Sequence, residues 1–505
     1  MTDTTMEGAP PRRAGMIRTI AMKELREIVR DGRFAWTAAI MAILLIAALV
    51  AGADRYADYR EMQAAAQEQS NDQFYTQGDK NPHSGAHYGN YAFKSQGPLA
   101  LFDGGIENYA GSFVFMEAHK QNAALSPPAG DLSAIARFGD LNGAMILQIL
   151  MPLLIIFLGF AAFAGEREKG TLRQLLSMGV KKQDLLWGKA LGVGAAVALV
   201  LAPCIVVGAI VIALLQITPS GDAFGMRLFL MALAYAGYGL IFLFLTLAVS
   251  AMASSPRTAL IGMVGFWAFC VFLMPKAAGE VSKIVHPSPS LGVFQTSMQE
   301  SRVKGLDGGP PPRAQLEIYK RQLLKQYGVK TTAELPIYWV STSMQKLEEL
   351  DHVIYDHYYN GLKTDYVAQR RTQDTLGVLA PLLPLSSISM GLAGTDLTHQ
   401  DEFTAAAEKH RRMMVEKVNS YLSEMAVNFN SNLALTGNVS METNVLIAKE
   451  EVFKIVPKFH YDPPSLTRVL REYSLGFGIL VAWLLGSIAL AVFAVGRLRP
   501  QTRQS

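Results

Sequence analysis

Two groups of residues in this sequence have the types and spacing that chemistry needs. The first is histidine. His83 and His87 stand at i, i+4, the spacing that sets two imidazoles on one helical face for a shared zinc ion, but they lie in a Gly/Ser segment unsuited to a helix. His352, Asp356 and His357 sit together on a long helical pattern, yet His352 and His357 are i, i+5 and do not share a face. No metal site is expected from either set. The row Tyr355, Tyr359, Leu362, Tyr366 could stack a ligand and reads as interhelix packing. The second group is the charged run Glu166, Arg167, Glu168, Lys169, Gly170, Thr171, Leu172, continued by Leu175 and Leu176. It contains no nucleophile–base pair, so its chemistry is that of a contact surface: exposed charges beside an apolar edge. No G-x-x-x-x-G-K-[ST] loop occurs anywhere, because Gly188-Lys189 is followed by Ala190 and position 183 is Gln. The chain has no Walker A loop of its own to cradle nucleotide phosphates. Catalytic residues and bound cofactors are not expected.

The elements that position these residues follow from composition. Charged residues make up 17% of the 505 residues, against about 25% in ordinary soluble proteins. The mean hydropathy of +0.20 suits a mosaic of membrane helices and large polar loops. A net charge of +4 is too small to suggest a nucleic-acid partner. Both cysteines, Cys204 and Cys270, lie in apolar runs and exclude a disulfide framework.

A spanning helix needs about 20 mainly apolar residues. Six stretches qualify: 34–53, 141–164, 190–215, 226–252, 258–276 and 474–495. None carries an acidic residue, which argues against a proton or sodium relay. A seventh apolar stretch, 376–393, holds Pro381, Pro384 and three serines, and is expected to pack outside the membrane or lie at its surface. Lys and Arg number seven in residues 1–33, six in the link 165–189 and three in the tail 496–505, with none in the link 216–225. By the positive-inside rule both termini and the 165–189 link are cytoplasmic, giving an N-in/C-in multi-pass protein. Residues 54–140 and 277–473 are then extracytoplasmic. From Met16 to Asp31 the pattern Ile17, Ile20, Ala21, Leu25, Ile28 predicts an amphipathic helix at the bilayer surface.

Outside, the polar stretch 61–97 is expected to be partly unordered, and 98–138 to pack locally. Helices are predicted over 313–327, stopped by Gly328, over 342–375, and over 398–425 with Thr398 and Asp401 as a capping box. The small residues Gly188, Gly192 and Ala196 allow close helix packing, read as packing within one protomer. The fold class is an all-α integral membrane protein with six transmembrane helices, an N-terminal interfacial helix and a mostly helical extracytoplasmic domain.

The run from Glu166 to Leu176, with Gly188-Lys189 opening the next span and Lys23-Glu24-Leu25-Arg26 in the preceding amphipathic helix, resembles ABC-2-type (type V) ABC transporter permeases, in a subgroup with large extracytoplasmic loops. Ser177-Met178-Gly179 departs from the pattern, where many members have a proline. The resemblance implies that residues 165–189 are the coupling helix, docking on a separate ATPase subunit through Glu166 to Leu176. It also implies a second permease copy or paralogue, ATP and Mg held by the partner ATPase, export rather than import, and the bacterial cytoplasmic (inner) membrane. The large outer loops leave room for an extracytoplasmic partner. The alternative is a membrane-anchored mechanotransmission or assembly factor that drives such a partner without moving cargo. A membrane enzyme would need a convergent nucleophile–base or metal set that the sequence does not offer.

Overall fold

The computed structural model describes residues 13–125, 142–215, 223–434 and 446–499. Six of its helices are long and apolar enough to cross a membrane. They are α2 (Gly32–Tyr75), α4 (Gly143–Gly159), α7 (Lys182–Leu214), α8 (Phe224–Met252), α9 (Pro256–Val285, with a π-helical turn at Phe269–Leu273) and α16 (Ser474–Gly496). Short helices α5 (Ala164–Glu168) and α6 (Thr171–Ser177) fill the link after α4. The predicted surface helix is α1 (Arg13–Arg30). Its apolar stripe does pack: Ile20 and Ile28 are buried in one core with Leu185, Val193, Phe163 and Leu247 of the spanning helices.

The stretch 61–97 is ordered, contrary to the sequence expectation. α2 runs for 44 residues, about 66 Å at 1.5 Å per residue, so roughly half of it stands beyond the ~30 Å hydrocarbon layer. A short helix α3 (Pro82–Tyr88) follows, then strand β1 (Asn90–Phe93), which pairs antiparallel with β2 (Phe113–Met116). Later helices are α10 (Leu291–Lys304), α11 (Pro312–Tyr327), α12 (Trp339–Leu376), α13 (Leu382–Ala393), α14 (Leu397–Ala434) and α15 (Leu466–Glu472). α11 stops at Gly328, whose φ of 67° is the left-handed conformation glycine adopts at little cost. The cap of α14 is Asp396, which accepts from the His399 backbone N–H at 3.1 Å; Thr398 lies inside the helix, so the expected Thr398–Asp401 capping box is replaced by this single cap bond. A second core, with Phe74, Met116, Phe403, Val418 and Phe453, binds α2, the β-ribbon and α14 into a head.

α13 is 12 residues long, about 18 Å, too short to span. It packs into the membrane-helix core through Leu385, Ile388 and Leu392. A polar chain holds it there: Gln148 donates to the Tyr235 hydroxyl at 3.0 Å, Tyr235 meets Ser389 at 3.0 Å, and Ser389 donates to the buried Asp103. Trp483 on α16 closes the other side with a 2.9 Å bond to the Gly377 carbonyl.

Candidate functional site

The link between α4 and α7 is built around an ion network that crosses three elements. Lys189, on the first turns of α7, is 1% exposed and lies 2.9 Å from both Glu24 Oε2 of α1 and Glu166 Oε1 of α5. Lys23 reaches the same Glu166 oxygen at 3.1 Å. The backbones come this close because α7 has glycine at both crossing points. A Cβ on Gly188 would stand 2.6 Å from Ile20 Cβ, and one on Gly192 would stand 2.6 Å from Glu24 Cβ. The Gly188/Gly192 pair therefore packs within the chain, as read from its spacing.

The chain breaks helix between α4 and α5, and the break is closed from α8. Ser250 accepts from the backbone N–H groups of Phe163 and Ala164 at 3.0 and 3.1 Å and donates to the Phe160 carbonyl at 2.7 Å. Arg167 caps the end of α8, donating to the carbonyls of Ala251 and Ala253. Lys182 does the same for α16 through the Gly496 carbonyl at 2.9 Å.

The proposed contact residues thus divide into two sets. Glu166 and Arg167, expected to be exposed charges, turn inward into this network. Leu172 is buried and Leu175 and Leu176 pack on the membrane-helix core, so the apolar edge faces the chain itself. Glu168, Lys169, Gly170 and Thr171 face outward, joined by Arg173, Gln174 and Met178. The exposed face of α1 lines an open groove with Arg18, Met22, Arg26 and Arg30.

Residues 18–328, more than half of the chain, match the family described as ABC-2 family transporter protein. The chain belongs to this family. Residues 294–461 match a domain family of unknown function, DUF3526. A curated relative, the probable ABC transporter permease protein NosY of Pseudomonas aeruginosa, is 34% identical over 161 residues, covering 31% of this chain and 56% of the relative. The ABC-2 match takes in α1, the link and all of the spanning helices except α16.

In this ABC-2 family chain three residues of the network are not predicted from sequence to meet: Glu24 enters only through the resemblance, and Lys23 and Lys189 through the resemblance and the Lys/Arg count. The signal that could have found them is a lysine one residue beyond a glycine at the mouth of an apolar span.

In the head the structure corrects the reading of His83 and His87. Their segment is helical: Asn81 caps α3 by accepting from the backbone of His83 at 3.0 Å and Ser84 at 3.4 Å, and Pro82 occupies the first turn. His119, in the turn after β2, joins them, and one ring nitrogen from each of the three lies within 4.8 Å of the others. Burial and the neighbouring imidazoles hold His83 and His87 below the ordinary histidine range. His352 lies 3.4 Å from the buried Glu348, and Asp356 pairs with Arg412, so neither belongs to the His83, His87 and His119 cluster. Tyr355 is buried and donates to the His119 carbonyl at 2.8 Å, and Tyr359 donates to Gln121, as the packing reading requires.

Proposed function

We propose that this chain is the transmembrane permease subunit of an ATP-driven ABC transporter, in which a separate ATPase subunit docks at the end of the bundle carrying α1 and the 165–189 link. Family membership and the inward wiring of that link support the reading. The single observation that carries it is the Lys189 network: a load applied to the exposed turn at Glu168–Arg173 meets α1 and α7 through Glu166 and α8 through Arg167. The link is then a rigid lever arm in place of a solvated loop. ATP and Mg belong to the partner, two permease chains pair with two ATPases, and the orientation is N-in/C-in in a bacterial inner membrane, with export as the direction of transport.

The contact itself falls to the outward set, Glu168, Lys169, Arg173, Gln174 and Met178, while Glu166, Arg167 and the three leucines transmit. The test is Glu168→Lys with Arg173→Glu, measured by pull-down of the ATPase subunit and by its hydrolysis rate in nanodiscs. These exposed charges contribute ~0–1 kcal/mol to stability, so abundance stays near wild type, whereas like charges at an interface cost several kcal/mol and association falls. Lys181→Glu, exposed on the far side of Gly179, is the control and retains binding. Normal association and coupling in the Glu168/Arg173 variant would remove the proposed role from this turn.

A second reading has its own observation. α2 passes unbroken from its span into the head core at Phe74, so motion of the first span reaches the head without a joint. In this mechanotransmission reading the ATPase rate follows an extracytoplasmic partner and is indifferent to transported cargo.

A further inference from the structure

His83, His87 and His119 come from two separate segments, and His83 and His119 are held by different parts of the head. His83 is buried, and its Nδ1 lies 2.7 Å from Asn419 Oδ1. The Asn419 amide is oriented by its own donation to Gln345 at 3.0 Å, so Oδ1 is the atom facing His83 and His83 Nδ1 carries the proton. His119 Nδ1 lies 2.6 Å from Oε1 of Glu348, a fully buried carboxylate that only accepts. His119 is fixed further by its backbone, whose φ of 65° is sustained by the Tyr355 bond to its carbonyl. Glu348 also faces Arg411 at 3.3 Å, a guanidinium it shares with Glu408.

With both imidazoles neutral and each Nδ1 donating, the two Nε2 atoms carry lone pairs. They face each other 3.2 Å apart. Two acceptors at that distance repel unless something positive lies between or beside them. Two nitrogens bound to one tetrahedral ion at about 2.05 Å stand about 3.3 Å apart, close to the 3.2 Å of this pair. His87 is one turn along α3 from His83, its ring centroid 4.9 Å from that of His83 and 5.0 Å from that of His119. His87 is exposed, so the remaining coordination position faces solvent.

We propose that His83, His87 and His119 form a three-histidine site for a divalent transition-metal ion of the zinc type, with Asn419 and Glu348 as the outer groups that orient the two inner imidazoles. Imidazole ligands suit borderline ions such as Zn2+ and Co2+ and not the oxygen-seeking Mg2+ or Ca2+. Histidine ligands whose second nitrogen donates to a carboxylate or carbonyl are the usual supported arrangement. Bound metal would clasp α3 and the turn after β2 onto α12 and α14, through Glu348 and Asn419. The site is independent of the ATPase contact at the other end of the bundle.

The test uses the full-length chain in nanodiscs, purified through a tag without histidine. Titration with Co2+ gives one equivalent with the visible d–d bands of a tetrahedral nitrogen site, and Zn2+ displaces it. Asn419→Ala weakens binding about 10–100-fold, the usual cost of losing an outer-shell partner, and His119→Ala weakens it further. His87→Ala alters an exposed side chain, leaves the fold intact, and also weakens binding; His460→Ala, at an exposed histidine outside the cluster, leaves it unchanged. Absence of stoichiometric Co2+ binding at neutral pH overturns the proposal, as does binding that survives His87→Ala and His119→Ala together. A proton shared between the two Nε2 atoms would give the first of those results.

Discussion

Removing the ammonium of Lys189 tests whether the link is wired or merely adjacent. Lys189→Met keeps the length of the stem and deletes the charge. What remains is Glu24 and Glu166, with side chains 9% and 12% exposed, and the half-exposed Lys23 as the cation near Glu166 among the described residues. Stripping one partner from a buried ion pair costs ~3–5 kcal/mol because the other charge stays desolvated. At the lower figure the docking equilibrium of α1 shifts roughly a hundredfold. The assay is maleimide reaction of a cysteine at Ala21, half-buried against Gly192, in a background lacking Cys204 and Cys270. Its rate rises in Lys189→Met in proportion to undocked α1. Replacing the whole set, Lys189→Met with Glu24→Leu and Glu166→Leu, removes the desolvation penalty along with the attraction. Such exchanges are commonly neutral or stabilising, so labelling returns toward wild type. If Lys189→Met labels no faster than wild type, the network does not hold α1, and the lever argument fails with it.

Ser250→Ala deprives two backbone N–H groups, on Phe163 and Ala164, of their acceptor. Each unsatisfied buried donor costs ~1–3 kcal/mol, and the variant melts earlier in nanodiscs while Ser254→Ala, at an exposed position, changes little. Cysteines placed at Ser84 and Glu300 react with membrane-impermeant reagents in intact cells and one at Ser177 does not; external labelling of Ser177 overturns the N-in orientation. His410 is buried in the head, and burial lowers its pKa from 6.5 to about 4. Between those values the unfolded chain binds a proton that the folded chain refuses, so stability falls as pH drops from 6.5 toward 4, by up to ~3 kcal/mol at completion. His410→Phe removes that part of the acid limb, and an unchanged pH profile refutes the assignment.

What the sequence makes legible is whatever local physics decides. Apolar length sets the spans, and Gly328 sets the end of α11, since each needs only its immediate neighbours. Two local signals were present and outweighed. Asn81-Pro82 is a cap followed by a first-turn proline, yet the Gly/Ser content beside it suggested a loop. From Asp54 to Tyr75 there is no glycine or proline, and Ala, Gln and Glu favour helix, yet polarity suggested disorder. The site itself was less legible because its partners are remote. Glu24 is 165 residues from Lys189 and His119 is 36 from His83. Glu166 and Glu168 look alike in the sequence, two acids flanking an arginine. Two helical positions separate an exposed charge from one that neutralises a buried lysine, because successive residues on a helix point about 100° apart. A charge count along the link therefore finds the right segment and cannot divide it into the residues that touch a partner and those that carry the load.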